Sequence, residues 1–227
     1  MKLAYLPFIS FALFLFSSCE SEDSENVNQD KIYASYVLEY NANDDVTYAR
    51  SNFNFGNALG TKLELSDDAN VKVNDDELTF KQVLAFYEKT YTGLLSKGDF
   101  VYTDVENNKF ENTVEMVNAI AFEDLPATAS RNSSLEVKWS GGAIEKGEIV
   151  TITIDGSGEQ DIKVFVETGV GAESKILKAS ELKDLGLEDA KFYIRRSKDM
   201  PATDVTSAGG TVIARYDGKP QVVDITD

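Results

Sequence analysis

Val150-Thr151-Ile152-Thr153-Ile154 alternates an apolar side chain with a hydroxyl-bearing one over five residues. Successive side chains of an extended chain point to opposite faces, so this stretch presents one apolar face and one that water can wet. The same period of two recurs in Leu135-Glu136-Val137-Lys138-Trp139, Tyr36-Val37-Leu38-Glu39-Tyr40, Leu63-Glu64-Leu65 and Val71-Lys72-Val73. It continues in Val164-Phe165-Val166, Phe192-Tyr193-Ile194 and Val212-Ile213-Ala214. Turn residues divide these runs: Asn43-Asp44-Asp45, Asn74-Asp75-Asp76, Asn107-Asn108, Gly141-Gly142, Gly209-Gly210 and Asp217-Gly218. Gly, Asn and Asp accept the backbone angles of tight reversals, which short antiparallel strands require. The pattern predicts an all-β protein.

Two stretches carry a competing helical signal. Lys81 to Tyr91 can align Val83, Leu84, Tyr87 and Tyr91 on one helical face, but its aromatic residues favour strand after Ala85. Ser180 to Gly186 predicts a helix of one or two turns, with Ser180 as its N-cap and Gly186 as its terminator. Gly98 to Met116 and Gly210 to Ile225 share a plan of glycine, alternating run, Asp-containing turn and second run. Each reads as a hairpin that closes a domain, which places a boundary between a first sandwich at 31–118 and a second at 119–227. The rhythm resembles tandem immunoglobulin-like or fibronectin-type-III-like β-sandwiches in architecture, without the cysteine pair of the antibody domains.

The N-terminus has a different composition. Lys2 precedes an apolar run from Leu3 to Phe16, followed by Ser17, Ser18 and the chain's single cysteine, Cys19. A run of this length is short for a membrane-spanning helix and fits the apolar region of a secretory signal. The arrangement resembles a bacterial lipoprotein signal with Phe16-Ser17-Ser18-Cys19 as its lipobox. That resemblance implies removal of residues 1–18, acylation of Cys19 and anchorage in a membrane; an ordinary secretory signal with an incidental cysteine is the alternative. The acidic tract Glu20-Ser21-Glu22-Asp23-Ser24-Glu25 lacks an apolar face, so residues 19–30 are expected to form a disordered, solvated tether. It also resembles tracts that send lipoproteins of some Gram-negative bacteria to the outer face of the outer membrane, with a periplasm-facing position as the alternative.

Composition removes several chemistries. Against 39 acidic residues stand 22 basic ones, and loss of the signal removes only Lys2. Nucleic acids and anionic head groups are poor partners for such a surface. Histidine is absent, which excludes Ser-His-Asp and Cys-His catalysis and His-bound zinc, iron or copper. With Cys19 acylated, no thiolate remains for catalysis, metal binding or a disulfide. No glycine-rich phosphate cradle occurs. Ser180-Glu181-Leu182-Lys183 matches S-x-x-K of penicillin-recognising enzymes, but the companion S-D-N and K-T-G motifs are missing.

Three ligand chemistries survive. Asp104, Glu106 and Asn108 space oxygen ligands along a loop and are the candidate calcium site, although such residues also serve hairpin turns. Asp44-Asp45, Asp67-Asp68 and Asp75-Asp76-Glu77 are shorter versions. Calcium is the only cofactor this composition suggests. Trp139 and the tyrosines offer rings for sugar stacking, yet Trp139 alternates with Val137 and Leu135 as a core residue does. Tyr87, Tyr91, Tyr102, Tyr193 and Tyr216 also lie on alternating runs, where those out of phase with apolar neighbours are the binding candidates. Arg195-Arg196 is an unusual basic pair that can meet carboxylates. The expected function is capture of a neutral glycan or protein by an anchored, non-enzymatic module, such as an accessory subunit or adhesin. A carboxylate-dependent glycan hydrolase and a purely structural envelope protein are the alternatives.

Overall fold

Each alternating run lies in or begins a strand of the computed structural model, which describes residues 21–158 and 161–227. The signal at 1–18 and Cys19 lie outside the described residues. In chain order the first half contains β1 (Glu22–Asp23), β2 (Ile32–Asn41), β3 (Val46–Phe55), β4 (Leu63–Glu64) and β5 (Asn70–Val73). It continues through β6 (Asp76–Glu77), β7 (Thr79–Lys81), β8 (Phe86–Thr92), β9 (Lys97–Thr103) and β10 (Lys109–Glu115). The second half contains β11 (Ala121–Glu123), β12 (Thr128–Ser130), β13 (Leu135–Ser140), β14 (Glu148–Asp155) and β15 (Ile162–Glu167). After β16 (Ser174–Leu177) and the helix α1 (Ala179–Leu182) come β17 (Glu188–Pro201), β18 (Gly210–Asp217) and β19 (Gln221–Thr226).

The protein is all-β, with two cores between facing sheets. In the first sandwich β2, β3, β8 and β7 neighbour one another and face the sheet β10-β9-β5-β6. Inward-pointing Ile32, Tyr36, Leu38, Phe53, Val73, Phe100 and Tyr102 fill the space between them. The second sandwich sets β11-β13-β16 against β15, β14, β17, β19 and β12. Its core includes Val137, Trp139, Ile152, Ile154, Phe192, Ile194 and Val223. Each such side chain contributes about 1.5–3 kcal/mol by leaving water. The opening stretch shows the rule directly: Val150, Ile152 and Ile154 are buried, while Thr151 and Thr153 lie on the other face.

β17 is the structural joint. One edge pairs with β14; the other pairs first with β19, at Glu188 to Phe192, and then with β18, at Arg195 to Pro201. Thus β18 and β19 lie end to end along β17 and do not form the hairpin expected from Gly210 to Ile225. The reason is local. Asp217-Gly218 does not reverse the chain; the Gly218 amide donates to the Ile194 carbonyl at 2.9 Å, keeping the path alongside β17. A Cβ at Gly218 would lie 2.6 Å from the Ile120 carbonyl oxygen, so only glycine fits this approach. β18 then pairs in parallel with β2 from Ala34 to Asn41, and carries Val212 and Ala214 into the first core. One sheet therefore runs through both sandwiches.

The acidic segment also departs from expectation. Residues 22–30 are ordered against the first sandwich and do not form a free tether. β1 pairs in parallel with β4 through Glu22 to Leu63 and Asp23 to Glu64. Ser24 is buried, and the Gln29 amide donates to the carbonyls of Ser24 at 2.6 Å and Val27 at 2.9 Å. The Asp30 carboxylate accepts from the backbone amide and hydroxyl of Ser207, which hold its pKa below the ordinary value. Specific polar partners replace the apolar face that the segment lacks.

Two smaller readings resolve here. Lys81 to Tyr91 is a hairpin of β7 and β8 turning through Ala85, whose φ is 50°. The helix near Ser180 is a single turn beginning at Ala179. Its cap is the Lys178 backbone amide donating to the Glu181 carboxylate at 2.9 Å, not the Ser180 side chain.

Candidate functional site

Phe192 and Ile194 enter the second core, so alternation turns Lys191, Tyr193 and Arg195 outward from β17. Across the ladder Tyr193 stands opposite Thr153, and Arg195 opposite Thr151. Asn41 ends β2 and Asn43 lies in the β2–β3 turn, while Asp217, Gly218 and Pro220 come from the β18–β19 junction. Together these residues line a cleft of about 420 Å³ where the two sandwiches meet. Tyr193 is 37 % exposed and, among the described residues, is the only tyrosine lining it. The Lys191 ammonium lies 5.3 Å from its ring centroid, a cation–π contact that restrains the ring.

The cleft wall is electrostatically organised. Arg195 grips Asp217 in bidentate fashion, with Nε to Oδ1 at 2.5 Å and Nη2 to Oδ2 at 2.7 Å. That grip raises the guanidinium pKa and takes up the one carboxylate that lines the cleft among the described residues. Beside it Glu39 meets Arg50 at 3.2 Å, Arg215 at 3.5 Å and Arg195 at 3.7 Å. Arg50 also reaches Glu88 at 2.8 Å. The resulting row of charges crosses β17, β18, β2, β3 and β8, fixing the first sandwich against the cleft's floor.

Arg196 points the other way and is fully buried. Its Nη1 and Nη2 donate to the carbonyls of Gly141 at 3.1 Å and Gly142 at 2.6 Å, and Nη1 lies 3.6 Å from buried Glu148. The adjacent arginines thus have opposite tasks: Arg195 faces the cleft, and Arg196 ties the turn after β13 to the start of β14.

The calcium candidates come together in one turn. Asp104 Oδ1 accepts from the backbone amides of Glu106 and Asn108, at 2.9 and 2.8 Å. Its Oδ2 accepts from the Asn108 side-chain amide at 3.0 Å. Asn107 adopts the left-handed region at φ 65°. In this arrangement Asp104 caps the β9–β10 hairpin, and its oxygens face N–H donors. Among the described residues no three Asp, Glu, His or Cys side chains gather as a metal-binding group.

The aromatic candidates separate by burial. Trp139, Tyr87 and Tyr102 are core residues, Tyr91 and Tyr216 are half-buried, and Tyr193 opens to the cleft. A shallower depression over β13 is lined by Glu123, Glu136, Glu173 and Lys138; there Ser174 donates to Glu136 at 2.8 Å. Sequence reasoning named Tyr193 among five tyrosines without singling it out, and missed Asn41, Asn43, Thr151 and Thr153. The threonines were visible as the outward half of the opening stretch, whereas nothing local announces that the β2–β3 turn reaches β17.

No protein-family profile matches the chain, and no curated protein matches it in sequence. Solved structures align over most of its length at low identity. The chicken CNTN1 FN1-FN3 domains share 8 % identity at a TM-score of 0.28, covering 86 % of this chain and 67 % of that one. The ICAM-5 D1-D4 ectodomain fragment shares 10 % at 0.27, covering 86 % and 51 %. A 1.5-MDa bacterial ice-binding adhesin shares 12 % at 0.23, covering 91 % and 65 %. The superpositions are loose, and the fold assignment rests on the strand order and two cores described above.

Proposed function

We propose that this protein is a membrane-anchored, non-enzymatic binding module that captures a neutral glycan in the cleft between its sandwiches. The observation that carries the reading is Tyr193: an exposed ring, restrained by Lys191, in a cleft where Thr151 and Thr153 offer hydroxyls and Asn41 and Asn43 offer amides. Flat rings stack on sugar faces, while threonine and asparagine satisfy sugar hydroxyls. Hydrolysis by two carboxylates needs a free pair about 5–9.5 Å apart. Among the described residues the cleft has only Asp217, already held by Arg195. Anchorage rests on the lipobox at Cys19, and exposure on the outer surface rests on the acidic tract that follows it. A glycan array followed by calorimetry, using residues 21–227, tests the capture. Binding without turnover, abolished by Tyr193→Ala at unchanged melting temperature, is expected. Release of reducing sugar would favour the hydrolase instead.

A second reading, assembly, is favoured by β15. Among the described residues this strand pairs on one side only, with β14. Ile162, Val164 and Val166 on its outer face are 60 %, 60 % and 48 % exposed. Such edges recruit another strand unless blunted. A second copy fits: antiparallel pairing centred on Phe165 sets Lys163 opposite Glu167 twice and Val164 opposite Val166 twice. Centring on Lys163 or Glu167 would oppose like charges. Sedimentation of Lys163→Glu against wild type tests this, with loss of a dimer expected. A wild-type protein that stays monomeric at high concentration would exclude it.

A further inference from the structure

The end of the first sandwich opposite the cleft carries a group of exposed apolar tips. Leu59 is 95 % exposed, Val83 92 % and Leu84 61 %, and Phe55 beside them is partly exposed. They belong to two loops held together. The Asn54–Lys62 bridge closes the first loop, and Phe55 donates its amide to the Thr61 carbonyl at 2.8 Å. The Lys62 ammonium donates to the Leu84 carbonyl in the second loop at 2.5 Å. Scattered exposed apolar residues are ordinary, but three on adjoining loop tips with Phe55 at their base form a patch that water disfavours.

What covers this patch follows from where the chain enters. The Glu22 amide donates to the Lys62 carbonyl at 2.9 Å, and β1 continues along β4, so Glu22 is fixed at the base of the first loop. Cys19 is three residues upstream. Three residues reach at most about 10 Å even when fully extended. If Cys19 carries acyl chains, the loops cannot stand away from the bilayer. We propose that Leu59, Val83 and Leu84 seat in the interfacial layer of the leaflet that holds the Cys19 lipid, so that the first sandwich stands directly on the membrane. This inference rests on the anchor reading and replaces a floating tether with a fixed posture.

The posture places the cleft. β2 begins at Ile32, paired with Phe55 at the apolar end, and finishes at Asn41 in the cleft wall. Ten extended residues span about 33 Å, so the cleft is raised roughly that far above the lipid. Lys31, Lys62 and Lys81 at this end are accompanied by Glu22, Asp23 and Asp30, and Lys81 lies 3.9 Å from Glu88. Seating is therefore apolar and not driven by anionic head groups, and it should persist in zwitterionic lipid at high salt.

The test uses the full lipidated protein in phosphatidylcholine vesicles whose acyl chains carry shallow bromine quenchers. Leu59→Trp and Val83→Trp place indoles at two independent, exposed tips. Native Trp139, buried in the second core, serves as the internal control. Quenching and a blue shift of the introduced indoles in both variants, with Trp139 emission unchanged in wild type, is expected. If the variants incorporate labelled fatty acid and float with vesicles but the introduced indoles stay unquenched, seating is overturned and the anchor stands. If Cys19 takes up no fatty acid and the protein does not float, the anchor reading falls and seating falls with it.

Discussion

The two sandwiches are built to different plans, and the difference lies in where each finds its last strand. The second draws its core from residues between Ile120 and Ile225 alone. The first uses residues 27 to 117 and then needs Ala202, Val212 and Ala214 from the far end of the chain. Their interiors differ as well. The first core is a web of rings, with Phe53 to Tyr102 at 4.6 Å, Tyr36 to Phe100 at 5.3 Å and Phe53 to Tyr87 at 5.8 Å. The second is mainly aliphatic around Trp139, with one ring pair, Phe122 to Phe192, at 6.4 Å. One half is closed by its own sequence; the other is completed from a distance.

Cutting the chain is the strongest way to break this comparison. Residues 119–227 expressed alone should fold cooperatively. Residues 21–118 should not, because removing β18 exposes an edge of β2 and part of the core. Circular dichroism melts of the two fragments decide it, and a cooperative transition in 21–118 would show that β18 is dispensable.

Substitution within the arginine pair follows. Arg196→Ala strands buried Glu148 and should cost about 3–5 kcal/mol in denaturant unfolding followed by Trp139 emission. Arg195→Ala, at the solvated cleft wall, should cost only about 0–1 kcal/mol. Equal losses would mean that the burial difference between these neighbours has no energetic weight.

Alkali separates the cores more gently. Burial raises the phenol pKa of Tyr36 and Tyr102 well above normal and pushes Tyr87 up to about 12. A folded state that favours the neutral phenol keeps its full stability below the unfolded value near 10, and loses it as pH rises through the folded values. Tyrosine ionisation should therefore report opening of the first sandwich before Trp139 emission reports opening of the second. Simultaneous transitions would mean that the shared sheet makes the two cores one cooperative unit.

Acid should produce the smallest effect. The lowered pKa of Asp30 contributes stability above about pH 4 that fades as pH falls through the folded value. Proteolysis within residues 22–31 should rise under acid before global unfolding, and Asp30→Asn should give the same susceptibility at neutral pH.

Much of the fold was legible because alternation is a local property. Val150 to Ile154 and Leu135 to Trp139 point their side chains as their spacing predicts, and Trp139 is buried for the reason its neighbours give. Pairing is not local. Nothing in Gly210 to Asp217 names Ala34 to Asn41 as its parallel partner, and Asp217-Gly218 has the composition of a hairpin turn while continuing straight along β17. The segment 22–30 misled for a related reason: its order comes from hydrogen bonds to Ser66 and Ser207, residues far off in sequence. In the cleft, Tyr193 was one of five tyrosines that the sequence left unsorted, and its assembly with Asn41 and Asn43 depended on that same unannounced pairing.

The parallel ladder between β2 and β18 has a mechanical consequence. If the N-terminus is held and the cleft is loaded, tension that has passed the contacts of residues 22–30 enters β2 at Ile32, and the load reaches β18 through Asp217 at the opposite end. The two strands are then tugged in opposite directions along their length. Rungs from Ala34 to Asn41 share the load in shear and do not open one after another. A protein held by its N-terminus and loaded at its cleft is thus strained along the direction in which that ladder resists best.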